Sequence, residues 1–417
     1  HRDLHSFPTR RSSDLTVKEA YAVKGMPQTG GMVERKDFIS QNDATVVTRM
    51  KKAGAIPLGI TNVPELCLWF ETYNKVYGRT RNPYNTKRIA GGSSGGEGAI
   101  VAAGGSPFGL GSDIGGSIRM PAFFNGVFGH KPTGGMMPGT GHFPEPENEQ
   151  RRYNTYGVLA RRAEDLMPLV SILAGPDGRD DSCVKFRLGN PASVSMKGLP
   201  VLYVDTNGLV PPSRELRAAQ RRCADALEKK GARIREARVS LLRGSLPIWT
   251  SMIQAANDTS FGVMLGNGRK VNPILEFMKM AAGRSTHTLP AVFLVFLENI
   301  NGLAPGLTKK FVSLGKRLRD VMTSMMDERG ILLYPSYPTV APVHNKPLLT
   351  PWNFAYTAVL NILEIPVTQV PLGLNEKGLP LGVQVAALHG NDHITIAVAG
   401  ELEHEFGGWV PPWEAGK

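Results

Sequence analysis

Between Gly91 and Gly135 the chain places 15 glycines in 45 residues, about a third of its 47, and no other feature restricts the fold as tightly. Glycine without a Cβ gives up side-chain packing and gains close backbone approach and unusual backbone angles. Gly91-Gly92-Ser93-Ser94-Gly95-Gly96 taken alone has the composition of a flexible linker. It runs on, however, into Ala99-Ile100-Val101-Ala102-Ala103 and then Phe108-Gly109-Leu110-Gly111-Ser112-Asp113-Ile114-Gly115-Gly116-Ser117, where apolar residues alternate with glycine as in packed segments. A phosphate cradle would need a Gly-Lys-Ser/Thr ending or a G-x-G-x-x-G opening a helix after a strand, and the block has neither. What remains is a loop whose successive N–H groups converge beside a serine. Donors so arranged stabilise the charge that develops on a carbonyl oxygen during acyl transfer.

The rest of the 417 residues reads as a globular chain, 41% hydrophobic and 20% charged. Residues 1–15 contain Arg10-Arg11-Ser12-Ser13 and no apolar run; they are read as a non-native, adapter-like leader and set aside, with residues 16–417 as one domain. That removes three arginines against two aspartates, so the net charge falls only from +12 to +11. The basic residues sit at helical spacing among acids, as on solvated helix faces. No aromatic interleaving or DNA-binding module accompanies them, which argues against nucleic acid, whereas an anionic membrane surface is compatible with them. The three cysteines, Cys67, Cys183 and Cys223, are too few and too scattered for a disulfide framework or a zinc site, and fit a reducing, intracellular compartment. Cys223 falls on the helix-period set Leu216, Ala219, Cys223, Leu227 and is expected in a core helix face.

Helices alternate with strands along the chain. After Asp43 a helix ends at Gly54, and Ile56–Ile60 reads as a buried strand. The rhythm returns as strand Leu199–Val204, helix Ser213–Lys230 and strand Arg233–Val239, then as strand Ile331–Tyr334, helix Trp352–Leu363, strands Val367–Pro371 and Leu381–Ala387, and a closing helix from Asp392 to about Glu405. This alternation predicts an α/β sheet. The longest nearly unbroken apolar run, Leu289–Leu297, is too short to span a bilayer.

Gly91-Gly92-Ser93-Ser94-Gly95-Gly96-Glu97-Gly98-Ala99 followed by Gly111-Ser112-Asp113-Ile114-Gly115-Gly116-Ser117-Ile118-Arg119 resembles the amidase signature family. Arg119-Met120-Pro121-Ala122-Phe123-Phe124-Asn125-Gly126, Gly129-His130-Lys131-Pro132 and Phe406-Gly407-Gly408-Trp409-Val410 are most similar to its fatty-acid amide hydrolase 2-like branch. The resemblance covers about Thr16 to Trp409. It implies an α/β amidase signature fold: a mixed, mostly parallel central sheet flanked by helices on both faces. It also implies hydrolysis of amides through an acyl-enzyme, with long-chain fatty-acid amides as substrates and no cofactor or metal. Relatives carry a further segment ahead of the lysine motif, including a membrane-anchoring helix in the closest group; here the match starts two residues before Lys18.

By motif, Ser117 matches the family's nucleophile, Ser93 the bridging serine after a cis peptide, and Lys18 the catalytic lysine. The N–H groups of Ile114, Gly115, Gly116 and Ser117 match its oxyanion donors. Ser94, Asp113 and Arg119 are supporting residues, and Cys67 and Leu68 lie in the stretch that lines the acyl side. Elementary chemistry agrees, because a serine hydroxyl needs a base within reach and no histidine stands in a sequence that marks it as one. His130 reads as structural. A lysine serves as base when burial or positive potential keeps it neutral; Lys24, in Ala22-Val23-Lys24-Gly25, is the competitor and reads as a solvated turn residue.

Apolar residues at helical spacing in 272–282 and the run 289–297, followed by Lys309, Lys310, Lys316, Arg317 and Arg319, fit either a helical hairpin packed on the sheet or a membrane-facing cap with basic flanks. Two rival functions stand beside the hydrolase. One is the glutaminase component of a tRNA-dependent amidotransferase; the other is a non-catalytic, membrane-binding relative.

Overall fold

The computed structural model describes residues 14–301 and 305–415. Ten strands make one sheet: β1 (Asp14–Lys18), β2 (Ile56–Thr61), β3 (Phe108–Asp113), β4 (Phe128–Lys131), β5 (Thr155–Ala160), β6 (Pro200–Tyr203), β7 (Arg233–Glu236), β8 (Ile331–Tyr334), β9 (Val367–Leu374) and β10 (Pro380–Ala387). Their order is β7-β6-β8-β10-β9-β4-β5-β3-β1-β2. The main helices are α1 (Thr45–Lys52), α2 (Gly95–Ala102), α3 (Arg119–Phe124), α4 (Arg214–Lys229), α5 (Ser245–Ala255), α6 (Pro273–Ala281), α7 (Leu289–Asn301), α8 (Pro305–Met325), α9 (Ala355–Ile362) and α10 (Asp392–Phe406).

The sheet is mixed, as expected, but its parallel pairing is confined to the two wings. β7–β6, β6–β8, β3–β1 and β1–β2 are parallel, while the five pairings of the centre are antiparallel. Local connections explain the split. In each wing a helix joins parallel strands, β1-α1-β2 and β6-α4-β7, as a crossover must. At the centre β9 turns directly into β10 through Asn375 and Gly378, whose φ is +68°, and such a tight turn joins only antiparallel neighbours.

Alternate residues of the strands feed two apolar layers, which is how a sheet covered on both faces reads. Val201 and Tyr203 of β6 and Ile331 and Leu333 of β8 pack with Leu216, Cys223 and Leu227 of α4 and Val398 and Leu402 of α10. Their neighbours Leu202, Leu332 and Tyr334 pack the other way, with Ile248 and Met252 of α5, Leu318 and Met322 of α8, and Val359 and Leu360 of α9. The Cys223 reading holds, with the residue fully buried.

Two sequence readings need correction. Ile56–Ile60 is an edge strand, not a buried one: β2 is the last strand of its wing, and Ile56 and Leu58 are 57% and 52% exposed. The boundary of the leader also moves. Asp14 and Leu15 belong to β1, where Leu15 is fully buried and pairs with Pro57 and Phe108; the remainder of the expected leader, residues 1–13, lies outside the described residues.

One buried ion pair ties the glycine-rich block to the C-terminal half. Arg119 Nε and Nη2 donate to Asp113 Oδ2 and Oδ1 at 3.0 and 2.9 Å, and both side chains are fully buried. The rest of the guanidinium donates to the Thr357 carbonyl at 2.9 Å, Gln384 Oε1 at 2.7 Å and Asn361 Oδ1 at 2.6 Å, bringing in α9 and β10. Asn361 Nδ2 returns to the Asp113 carbonyl and carboxylate at 2.8 and 3.0 Å. Burial alone would push the Asp113 carboxyl up, but the Arg119 charge and these hydrogen bonds outweigh it and hold the group well below the usual carboxylate range. Removing one partner of such a pair leaves an uncompensated buried charge. Arg119→Met is therefore expected to lower the unfolding free energy by ~3–5 kcal/mol in urea denaturation, while Arg221→Met, at an exposed pair with Asp225 and Glu236, should cost no more than ~1 kcal/mol.

Candidate active site

Three chain segments converge at the C-terminal ends of β1 and β3. Lys18 is the last residue of β1. Ser93 follows a cis Gly92–Ser93 peptide and lies just ahead of α2, and Ser117 sits in the turn between β3 and α3. Backbone crowding explains two of the glycines. A Cβ on Gly92 would stand 2.5 Å from the Trp69 carbonyl oxygen. Gly116 has φ +117°, and a Cβ there would collide with the Thr357 hydroxyl.

Lys18 is fully buried. Its Nζ lies 2.8 Å from Ser93 Oγ, 2.8 Å from Ser112 Oγ and 3.4 Å from the Ser112 carbonyl. Among the described residues no carboxylate forms an ion pair with it. Burial lowers its pKa, against a weaker opposing pull from Cys67, Asp113 and Glu97. The nearby Glu97 carboxyl is itself pushed up to about 7 by burial, despite hydrogen bonds from the Thr61 and Thr16 hydroxyls at 2.7 Å. The competitor Lys24 is exposed, as the turn reading expects. The residue after Ser93 ties its segment to the Ser117 turn: the Ser94 N–H donates to the Ser117 carbonyl at 3.1 Å, and Ser94 Oγ donates to the Ser112 carbonyl at 3.3 Å. The Ser117 hydroxyl makes no hydrogen bond among the described residues, and the residue is 7% exposed.

Of the four N–H groups expected as oxyanion donors, one has an acceptor within the loop. The Gly116 N–H already donates to Asp113 Oδ1 at 2.7 Å, so that carboxylate, which also accepts from the Ile118 N–H at 3.0 Å, shapes the loop from below. The N–H groups of Ile114, Gly115 and Ser117 have no acceptor among the described residues. The loop's carbonyls are turned away and held, Ile114 by Trp249 Nε1 at 2.8 Å and Gly115 by Thr357 Oγ1 at 2.7 Å. Trp249 packs edge-on against Phe354, which tilts against Phe70, so an aromatic wall stands beside the donors.

Cys67 and Leu68 lie on the turn after β2, where Leu66 and Cys67 take left-handed φ values of +53° and +58°. Cys67 is buried close to Lys18, and burial pushes its thiol up to about 11. Leu68 packs on an apolar cluster of Leu66, Phe261, Leu265, Val271, Ala291 and Val295, the last two from α7. No group of three or more His, Cys, Asp or Glu among the described residues is placed to hold a metal ion.

Sequence reasoning did not find Ser112 and His142 as partners of the site. His142 Nε2 lies 2.9 Å from Ser112 Oγ, the hydroxyl that also meets Lys18. Ser112 was visible inside the motif as a residue without a role; His142 is separated from it by a long stretch of chain and carries no local signal. Trp249, Thr357 and Asn361 were likewise unmarked. His130 is structural, as expected, with its nitrogens 2.9 Å from Thr368 Oγ1 and 3.1 Å from Asp392 Oδ1.

Comparison with known proteins gives this geometry a context. The amidase family model matches residues 15–396. Fatty-acid amide hydrolase 2 of Homo sapiens is 44% identical over 409 residues, which cover 95% of this chain and 76% of that protein. Acylamidase of Rhodococcus erythropolis is 30% identical over 436 residues, covering 98% of this chain and 82% of that protein. Among solved structures, a glutamyl-tRNA(Gln) amidotransferase component from Thermotoga maritima superposes with a TM-score of 0.81 at 24% identity, covering 96% of this chain and 85% of its own. That likeness speaks for the fold. With most of its length matched by the family model and a relative this similar, the chain belongs to the amidase family and is a hydrolase acting on carboxylic amides.

Proposed function

We propose that the protein hydrolyses long-chain fatty-acid amides through an acyl-enzyme on Ser117, with Ser93 and Lys18 relaying the proton. The observation that carries the chemistry is the buried Lys18 amine, 2.8 Å from Ser93 Oγ and without an ion-pair partner among the described residues. A neutral amine there accepts the Ser93 proton while Ser93 accepts that of Ser117, whose oxygen attacks the amide carbonyl. The oxyanion forms against the N–H groups of Ile114, Gly115 and Ser117. The proton then returns through Ser93 to the departing amine, and water, activated along the same relay, releases the acid.

The acyl side supports a lipid substrate. Leu68 contacts the cluster that includes Ala291 and Val295 of α7, while the same helix exposes Phe296, Leu297 and Ile300 at 36%, 36% and 46%. On α6, Ile274 and Met278 are each 65% exposed, and Phe277 packs edge-on against Phe296. One apolar surface thus runs from the reaction side toward solvent, as a membrane-facing cap requires. The exposed Lys309, Lys310, Lys316 and Arg317 follow it, whereas Arg319 is drawn aside into a pair with Glu364 at 2.9 Å. No single helix among the described residues is long and apolar enough to cross a membrane. Fatty-acid amide hydrolase 2 is the relative in keeping with this reading. Glutamine and a tRNA-linked partner give the exposed apolar face no purpose.

Four outcomes follow. A fluorophosphonate should label the wild-type protein and not Ser117→Ala; an unlabelled wild-type protein would favour the non-catalytic alternative. Lys18→Ala should lower kcat on a fatty-acid amide by ~10²–10⁴-fold, with the residual rate climbing with pH as hydroxide replaces the base, while Lys24→Ala stays near wild type. Because burial lowers the Lys18 pKa, the neutral form is present at lower pH than for an ordinary lysine, and wild-type activity should rise through that pKa and then level. Finally, Ile274→Glu with Met278→Glu should weaken co-sedimentation with anionic vesicles in protein that circular dichroism shows to be folded; unchanged binding would remove the cap.

A further inference from the structure

We propose that His142 is a positioning residue that fixes the direction of the hydrogen bonds around Lys18, so that the amine's lone pair faces Ser93. The inference rests on Lys18 being the base. His142 is 6% exposed and packs against the rings of Tyr21 and Tyr156, at centroid distances of 5.2 and 5.3 Å. Its Nδ1 stands 2.9 Å from the Pro144 carbonyl oxygen. A carbonyl only accepts, so Nδ1 carries the hydrogen. Burial, the largest cause, pushes the imidazole pKa below its ordinary value against the Pro144 hydrogen bond, and it does so whether or not Lys18 carries a charge. The ring is therefore neutral, and Nε2 offers a lone pair.

The direction then passes along the chain. Ser112 Oγ, 2.9 Å from Nε2, must donate its one hydrogen to the ring. Toward Lys18 Nζ, 2.8 Å away, that oxygen can only accept. The Ser112 carbonyl at 3.4 Å is an acceptor too. A neutral amine has two hydrogens and one lone pair, and both hydrogens now have acceptors. The third neighbour, Ser93 Oγ at 2.8 Å, is left for the lone pair, so Ser93 donates to Lys18 and its oxygen is free to accept from Ser117. No proton moves to His142 during the reaction, and Ser112 keeps its hydrogen throughout.

Other charged and titratable groups do not set this direction. Lys18 feels Cys67, Asp113 and Glu97; around His142 stand Lys18, Tyr21 and Tyr156. The Tyr21 hydroxyl is committed to the Gly111 carbonyl at 2.6 Å, and the Tyr156 hydroxyl accepts from Asn154 Nδ2 at 3.4 Å. Without the imidazole the Ser112 hydroxyl can swing its hydrogen onto the Lys18 lone pair, in competition with Ser93.

The test compares wild type, His142→Phe, Ser112→Ala and the double variant in steady-state hydrolysis of a decanoyl anilide across neutral and alkaline pH. His142→Phe should lower kcat on the order of 10²-fold with KM little changed. Its acid limb should move to lower pH, because a hydrogen bond donated to the lone pair favours the neutral amine. Adding Ser112→Ala should restore the rate to that of Ser112→Ala alone, a non-additive result. Wild-type kcat in His142→Phe overturns the proposal. So does a loss with the limb moved to higher pH and no rescue by Ser112→Ala, the pattern of a merely loosened, wetter site. Imidazole 15N shifts of the wild-type protein give a readout independent of the variants' folding: the neutral Nδ1–H form is expected, and the Nε2–H form overturns the assignment. A wild-type protein that neither turns over the anilide nor labels with a fluorophosphonate at Ser117 brings down the catalytic reading itself, and this inference with it.

Discussion

The Asp113 carboxylate is the point on which the site is built. It is fully buried, and its two oxygens accept from the Gly116 and Ile118 N–H groups above and from the Arg119 side chain below. A buried charge survives only when its lone pairs are filled, so the turn after β3 has one shape that satisfies it. That shape turns the N–H groups of Ile114, Gly115 and Ser117 away from internal partners and leaves them available. Arg119, saturated by α9 and β10, spreads the same constraint across the sheet. Positioning of the donors is therefore part of the stability of the fold.

Lys18 shows the opposite solution to burial. Asp113 stays charged because a cation meets it. Lys18 meets only hydroxyl and carbonyl oxygens among its hydrogen-bond partners, and the cheapest way to keep it in the core is to take its proton away. A neutral amine beside Ser93 suits the proposed relay, because desolvation leaves it without its proton and free to accept one. Two fully buried residues of charged type are thus accommodated in opposite ways, one by a counter-ion and the other by loss of its proton.

Much of this was legible in the chain before any coordinates. Glycine density marked the loop, and the motif named Lys18, Ser93 and Ser117, of which the first two lie 2.8 Å apart and the third sits in the adjoining turn. Periodicity found α4 and α10 and the β6, β8, β9 and β10 strands, because a core-facing pattern repeats every few residues. Contacts between distant segments left no such trace. That Gly116 would give its N–H to Asp113, that Trp249 would cover Ile114, and that His142 would reach Ser112 all depend on how loops close in space. The antiparallel centre was missed for the same kind of reason: alternating helices and strands predict crossovers, and they say nothing about the neighbour a strand takes across the middle of the sheet. The exposure of Ile56 and Leu58 follows from the edge position of β2, which pattern alone does not reveal.

The most direct test of the account is to trap the covalent intermediate. Turnover of a long-chain fatty-acid amide, quenched in acid within the steady state and followed by peptide mass spectrometry with fragmentation that resolves individual residues, should show one acyl group on Ser117 and none on Ser93. An acyl group on Ser93, or turnover that leaves no acyl group on Ser117 even in a variant slowed at Lys18, would contradict it.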